Sequence, residues 1–370
     1  MNDPVLFELK AAANGKQVAF ATLNVEKSLN ALSLEMIDLL AEQLDVWELD
    51  PTIAMVVLQG AGDKAFCAGG DIVKLYQSMV KHGHERNAYA ETFFENEYRL
   101  DYLIHTYTKP ILCWGHGIVM GGGLGLMAGA SHRVVTEKSR IAMPEVTIGL
   151  YPDVGGSWFL NRMPGRVGLY LGLTGASLNA ADAMFVKLAD HYVDSSQKQA
   201  VFDNLLGTDW ADDYRSNHHK LSTLLRQHRG LQPMAVSPVR MHLDFINEVT
   251  NFDSVEEIAQ ALAMHQPDDA WIKRGAETLR KGSPTSAKLI FDIYRHAIHM
   301  SLEEVFAMEL GVSVQCCLQH DLREGVRALL IDKDNQPVWS PATWEEVTKA
   351  HIDQHYVPPW GEDAHPFADW

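Results

Sequence analysis

Between Val5 and Ala189, short β-branched and aliphatic runs alternate with longer stretches whose apolar residues recur every three or four positions. Val18 to Leu23, Ala54 to Gln59, Ile111 to Trp114 and Arg133 to Thr136 have the length and residue types of strands. Leu34 to Glu48, Asp71 to Lys81, Tyr89 to His105 and Gly121 to Gly129 carry the helical period. Asp50-Pro51 and Lys109-Pro110 stand where helices should stop before a strand begins. The alternation predicts an α/β core over residues 1–193, with strands covered by helices. From about Asp194 the strand-like runs vanish. Gln197 to Leu206, Ser254 to His265, Asp268 to Lys281, Ser283 to His299 and Leu302 to His320 look amphipathic, which predicts a mostly helical region over 194–370.

A chain of 370 residues can bury a sizeable core in one large domain plus a smaller one, or in two comparable domains. Its 46% hydrophobic content and nine Trp exclude a disordered protein. No apolar run is long enough to span a bilayer, and Met1 to Lys10 has neither a basic nor an apolar leader region, so a soluble cytoplasmic protein is expected. The formal net charge of -17 argues against nucleic acid and anionic membrane as partners. An anionic ligand would need a local basic patch or helix N-termini. Cys67, Cys113, Cys316 and Cys317 form no C-x-x-C pair, which disfavours a disulfide framework and a zinc site. The polar patch Asp209 to Lys220, with His218 and His219, has no acidic or Cys partner at ligand spacing and reads as a solvated helix or loop, so no metal is expected.

Candidate chemistry gathers in three glycine- and acid-bearing stretches. Phe66-Cys67-Ala68-Gly69-Gly70-Asp71 follows a buried strand and opens a helix, with Asp71 placed to cap it. Gly115 to Gly125 puts four glycines, Gly121, Gly122, Gly123 and Gly125, at the start of an apolar helix. Each costs roughly 1 kcal/mol relative to Ala in a helix interior, so close approach is needed there. That need can come from tight packing on the sheet, or from a helix N-terminus whose Gly122 N–H stabilises an anion. The third stretch, 143–156, carries Glu145 and, after an apolar interval and a Pro, Asp153. Two carboxylates in separate surroundings can divide acid, base and nucleophile roles. No G-x-G-x-x-G opens a helix with an acid about twenty residues on, and no Walker A loop is present. Gly155-Gly156-Ser157-Trp158 lacks the last Gly of a nucleophile elbow, which disfavours a serine hydrolase. Cys67 and His116 sit in apolar or glycine-rich turns and read as core residues rather than a nucleophile and base.

The ordered set F-C-A-G-G-D (66–71), H-G-I-V-M-G-G-G-L-G (116–125), A-M-P-E-V-T-I-G-L-Y-P-D-V-G-G (142–156) and L-G-L-T-G (171–175) resembles the enoyl-CoA hydratase/isomerase, or crotonase, superfamily. Within it the chain is most similar to the hydrolases of short branched 3-hydroxyacyl-CoA thioesters, and the likeness extends to 281–286 and 324–334. The resemblance implies an α/β fold, a spiral of ββα turns followed by a helical C-terminal region. It implies a thioester carbonyl held by the N–H groups of Gly70 and Gly122, with Gly69 beside them. Glu145 matches the central carboxylate, nucleophile or general base. Asp153 matches a second acid that contacts the substrate hydroxyl or assists the leaving thiolate, and Glu97 a substrate-contacting Glu. Lys27-Ser28-Leu29-Asn30-Ala31-Leu32 resembles the loop that wraps coenzyme A, with Asn30 expected to cap the next helix. Lys27 and Lys64 are candidates for the phosphates. Coenzyme A enters as part of the substrate and no other cofactor is implied; a homo-oligomer is expected, since the superfamily often forms trimers.

Two departures separate reaction types. Hydratases carry a second Glu where this chain has Gly125, and tend to have Gly where it has Asp153. Both favour hydrolysis. The rivals are an enoyl-CoA hydratase or isomerase, which can manage with one Glu at the place of Glu145, and a non-catalytic acyl-CoA-binding or scaffold protein.

Overall fold

The computed structural model describes residues 3–230, 233–264, 267–361 and 364–370. They form two compact units, each of three chain segments: unit 1 holds Met1–Gly70, Arg99–Ile141 and Leu178–Met241, and unit 2 holds Asp71–Tyr98, Ala142–Ser177 and His242–Trp370.

Unit 1 is built on a six-stranded sheet, β1 (Val5–Ala11), β2 (Gln17–Leu23), β3 (Ile53–Gly60), β5 (Ile111–Gly115), β7 (His132–Val135) and β9 (His191–Tyr192), in that spatial order. Only the β1–β2 pair is antiparallel; β2–β3, β3–β5, β5–β7 and β7–β9 are parallel. Parallel strands are covered on both faces, which is why β3, Ile-Ala-Met-Val-Val-Leu-Gln-Gly, is almost wholly apolar. A second sheet joins β4 (Ala65–Cys67), β6 (Ile118–Met120) and β8 (Arg140–Ala142). The chain repeats one pattern, a strand in the large sheet, a short strand in the small sheet, then a helix: β3, β4 and α2 (Ile72–His82), then β5, β6 and α4 (Gly122–Gly129). This is the expected spiral of ββα turns.

Helix α1 (Leu34–Leu49) starts where the Ser33 hydroxyl accepts the Met36 N–H and buries Met36, Ile37, Leu40, Leu44 and Trp47, a helical stripe packed on β1 and β2. The expected cap, Asn30, does something else. Its left-handed backbone points the amide inward, where Nδ2 donates to the Ala61 and Ala65 carbonyls, both at 3.0 Å, and Oδ1 accepts the Val25 N–H. The side chain therefore ties the 25–32 loop to the segment leading into β4.

Alternate residues of the large sheet, Val18 and Phe20, Met55 and Val57, Leu112 and Trp114, share one core with Val201, Phe202, Leu205, Trp210, Leu221 and Leu225. Phe202 meets Phe20 and Trp114 edge-on, at 5.5 and 5.8 Å between ring centres. The helices Lys198–Leu206 and Tyr214–Gln227 thus cover the sheet. The strands end at Tyr192, beside the sequence boundary at 193, but the compact units do not follow that cut.

Unit 2 is helical. It contains α2, capped by Asp71 on the Lys74 N–H, part of α3 (Ala88–Thr106), α5 (Gly156–Leu160) and α6 (Val167–Thr174). The later helices include Val255–Met264, Ala270–Lys281, Pro284–His296 and Leu302–Leu318. His265, the predicted end of one of them, lies outside the described residues. Sequence reading missed β1, β4, β6, β8 and β9, and α5 and α6. β4, β6 and β8 have three residues each and β9 two, too short for alternation to register, and α6 is apolar all round.

Candidate active site

In unit 2 the chain leaves Pro144 into a single 3-10 turn, Glu145–Thr147, and Gly149 then turns it back. Gly149 has φ +81°, and a Cβ there would collide with the Asp321 backbone carbonyl, so only glycine lets this segment lie against helix His320–Val326. The turn leaves the Glu145 side chain buried, with Oε2 lacking a hydrogen-bond partner among the described residues. Burial, then the Asp153 charge and that of Glu97, pushes Glu145 well above the usual carboxylate range.

Asp153 is also buried, but it is served. The Tyr98 hydroxyl donates to its Oδ2 at 2.7 Å, and this donation opposes burial, which lifts Asp153 to about 6. The Ser313 hydroxyl lies 2.7 Å from the Tyr98 oxygen and 2.9 Å from that of Tyr151, whose O–H also reaches the Glu309 carbonyl. Glu97, one position before Tyr98, is buried with Oε1 unpartnered among the described residues, and burial and the Asp153 charge push it well up. The Asp153 charge raises both Glu145 and Glu97, so ionising all three together is unfavourable. Two unsatisfied carboxyl oxygens beside one satisfied acid form a place where a polar ligand group would find partners.

In unit 1 the two glycine turns meet. Leu32 donates to the Gly69 carbonyl at 2.8 Å, Ala68 to that of Leu29 at 3.1 Å, and Gly69 takes φ +111°. A Cβ on Gly69 would stand 3.4 Å from the Met120 carbonyl oxygen and 3.8 Å from the Gly122 nitrogen. Gly122 is the first residue of α4, so its N–H has no acceptor within the helix, and neither it nor the Gly70 N–H donates to a carbonyl among the described residues. Gly123 serves packing, because a Cβ there would collide with the Cys67 carbonyl, and α4 lies on β4 and β6. Close packing on the sheet thus accounts for Gly123, while Gly122 leaves an N–H without a carbonyl acceptor among the described residues at the start of α4. Lys27, in the 3-10 turn Glu26–Ser28, and Lys64, before β4, are exposed and unpaired among the described residues.

Cys67 is buried in β4. His116 is buried with Nε2 2.9 Å from the Gly62 carbonyl oxygen, and burial holds its imidazole below the ordinary range. His218 lies in the helix Tyr214–Gln227, stacked on His132, and among the described residues no three His, Cys, Asp or Glu side chains are grouped to hold a metal. Sequence reading missed Tyr98, Tyr151, Ser313 and Glu309. Glu309 left a signal, since an acid between Phe306 and Leu310 sits on the apolar face of its helix.

A family model described as enoyl-CoA hydratase/isomerase matches residues 18–356. The chain belongs to the enoyl-CoA hydratase/isomerase family. It is 40% identical to the mitochondrial 3-hydroxyisobutyryl-CoA hydrolase of Danio rerio over 90% of this chain and 85% of that one. To the mitochondrial 3-hydroxyisobutyryl-CoA hydrolase of Homo sapiens it is 38% identical, over 90% and 85%. Among solved structures it is similar to a carnitinyl-CoA dehydratase from Mycobacterium thermoresistibile, with TM-score 0.85 and 35% identity over 96% of this chain and 97% of that one. The fold is the crotonase fold with a helical C-terminal region.

Proposed function

We propose that this protein hydrolyses 3-hydroxyisobutyryl-CoA, as in valine breakdown, to 3-hydroxyisobutyrate and free coenzyme A. The observation that carries this reading is the buried pair Glu145 and Asp153 together with Gly125, where a hydratase would need its second glutamate. The names of the curated relatives support the same substrate.

The thioester oxygen accepts the N–H groups of Gly70 and Gly122, which stabilise its developing charge; losing one such donor costs on the order of a hundredfold or more in rate. The pair works with one proton between its two carboxyls, and the first step places it on Asp153, leaving Glu145 the carboxylate. The freed Glu145 carboxylate attacks the carbonyl carbon, the C–S bond breaks, and protonated Asp153 returns its proton to the thiolate. Water then opens the acyl-glutamyl anhydride. In the alternative route Glu145 draws a proton from water that attacks directly. Glu97 contacts the acyl group, Gly69 lets the carbonyl approach, and Lys27 and Lys64 meet the coenzyme A phosphates. No step calls for a metal or redox cofactor, so dialysis against a chelator should leave the rate unchanged.

Thiol release from 3-hydroxyisobutyryl-CoA tests the reading, and hydration of crotonyl-CoA without free thiol would overturn it. Hydratase or isomerase activity is the second reading, favoured by the likeness to a dehydratase. A non-catalytic binding protein would release no thiol from any acyl-CoA. After a single turnover in 18O-water, label in Glu145 supports the anhydride and its absence counts for direct water attack. A homo-oligomer is proposed and sedimentation checks it. The proposed cytoplasmic location stands against relatives named mitochondrial, so fractionation of the native cells must decide it.

A further inference from the structure

The segment after Asp153 is held in a shape its residues resist. Val154 has φ +53° and Gly155 φ +80°. A left-handed backbone is natural for glycine but an outlier for a β-branched residue, and it persists only where surrounding contacts impose it. Those contacts come from one face of the helix Leu302–Leu318, which runs within the same unit.

Glu309, fully buried, accepts the Gly155 N–H on Oε2 at 2.7 Å and the Ser157 N–H on Oε1 at 2.9 Å. Both oxygens are thus engaged by the start of α5, where backbone N–H groups lack helical acceptors. One turn earlier on the same face, Phe306 lies over Gly155, 3.2 Å from where a Cβ would stand, and its ring is 5.7 Å from that of Tyr98. One turn later, Ser313 meets the Tyr98 hydroxyl that donates to Asp153. Spacings of three and four residues bring all three side chains to one side of the helix. This is a costly arrangement if it serves packing alone, because a buried carboxyl there faces the unfavourable charge of Asp153.

We propose that Glu309 is a positioning residue for the hydrolysis: it clamps the Val154–Gly155 turn and so fixes where the Asp153 carboxyl stands. The inference rests on the role given to Asp153 in the proposed function. Glu309 itself touches no substrate. Its action passes through two backbone N–H groups to the residue that moves the proton.

The test compares Glu309→Gln, Asp153→Asn and the double variant in thiol release from 3-hydroxyisobutyryl-CoA, with hydrogen exchange of the amides 153–157 in the ligand-free protein. Gln keeps the volume but sets an NH2 against one backbone N–H. In Glu309→Gln, kcat should fall about 10- to 100-fold with KM within about twofold, and exchange at 153–157 should quicken by about tenfold or more. Added to Asp153→Asn, it should cost nothing further, because residues acting through one group are not additive. Multiplying losses, an unchanged kcat, or unchanged exchange would each overturn the proposal. Val154→Gly covers the case in which Glu309→Gln does not fold. It relieves the left-handed backbone but deletes a buried side chain, so Tm should fall modestly and kcat should fall with it; an undiminished kcat overturns the clamp. Should the wild type release no thiol, the proposed function fails, and the exchange comparison still decides whether Glu309 holds the turn.

Discussion

Replacing Tyr98 by Phe leaves the ring in place and removes the oxygen that donates to Asp153 and meets Ser313, whose hydroxyl keeps Tyr151. A hydrogen bond to a charged group contributes about 1.5–3 kcal/mol, and one pKa unit corresponds to about 1.4 kcal/mol. Asp153, now at about 6, should therefore titrate at roughly 7–8 in the variant. The sign follows from the proton inventory. Turnover as proposed starts from a Glu145–Asp153 pair with one proton, which Asp153 must be free to take. As pH falls through about 6, Asp153 fills and kcat/KM should drop; in Tyr98→Phe that drop should begin one to two pH units higher. Stability moves in step. The folded pKa of Asp153 is raised above its unfolded value, so its contribution is present below about 4 and is lost as pH rises through about 6. The charge-assisted part of that hydrogen bond is lost only where Asp153 is ionised, so the deficit should be smaller at pH 5 and grow to about 1.5–3 kcal/mol at pH 8. For a domain of roughly 200 residues that is several degrees of Tm, at about 2–4 °C per kcal/mol. Thiol release from pH 5 to 9 and melting curves at pH 5 and 8 make the measurement. An acid limb that stays put, or a Tm deficit equal at both pH values, refutes the assignment of Tyr98 as the donor that tunes Asp153.

Glu145→Gln should lower kcat by about a thousandfold or more while a product such as free coenzyme A still binds, as calorimetry can read. Asp153→Gly, which installs the residue hydratases tend to carry, should abolish thiol release without raising hydration of crotonyl-CoA, because Gly125 still lacks the second carboxylate; a gain of hydratase rate would count against the role given to Gly125. Gly123→Ala should cost about 1–3 kcal/mol in denaturant unfolding, since its methyl meets the Cys67 backbone carbonyl. An unchanged midpoint would mean that α4 can shift on β4.

The large parallel sheet was legible because burial on both faces writes itself into apolar runs such as β3, and the long helices because their stripes span several turns. β4, β6 and β8 were not, since three residues carry no period, yet they seat the glycine turns. Glu145, Asp153 and the glycines were singled out as candidates by motif order; spacing alone left them open to several kinds of acid-base chemistry. The groups that set their behaviour escaped. Glu309 meets Gly155 across 154 positions of chain, and Ser313 meets Tyr98 across 215. Such partners are fixed by packing, not by local pattern. Asn30 failed as a cap for a related reason: its side chain satisfies carbonyls 31 and 35 residues away that nothing in the neighbouring sequence announces.

The chain passes from one compact unit to the other at Gly70, Tyr98, Ile141, Ser177 and Met241. For anyone seeking a minimal enzyme, or for a lineage shuffling gene segments, this threading removes modularity. A product stopped at residue 193 would keep every strand yet bare the face that carries Phe20, Val57 and Trp114, and it would lack Glu309. The strands of the large sheet and the helices that carry Glu309 are thus inherited or lost together.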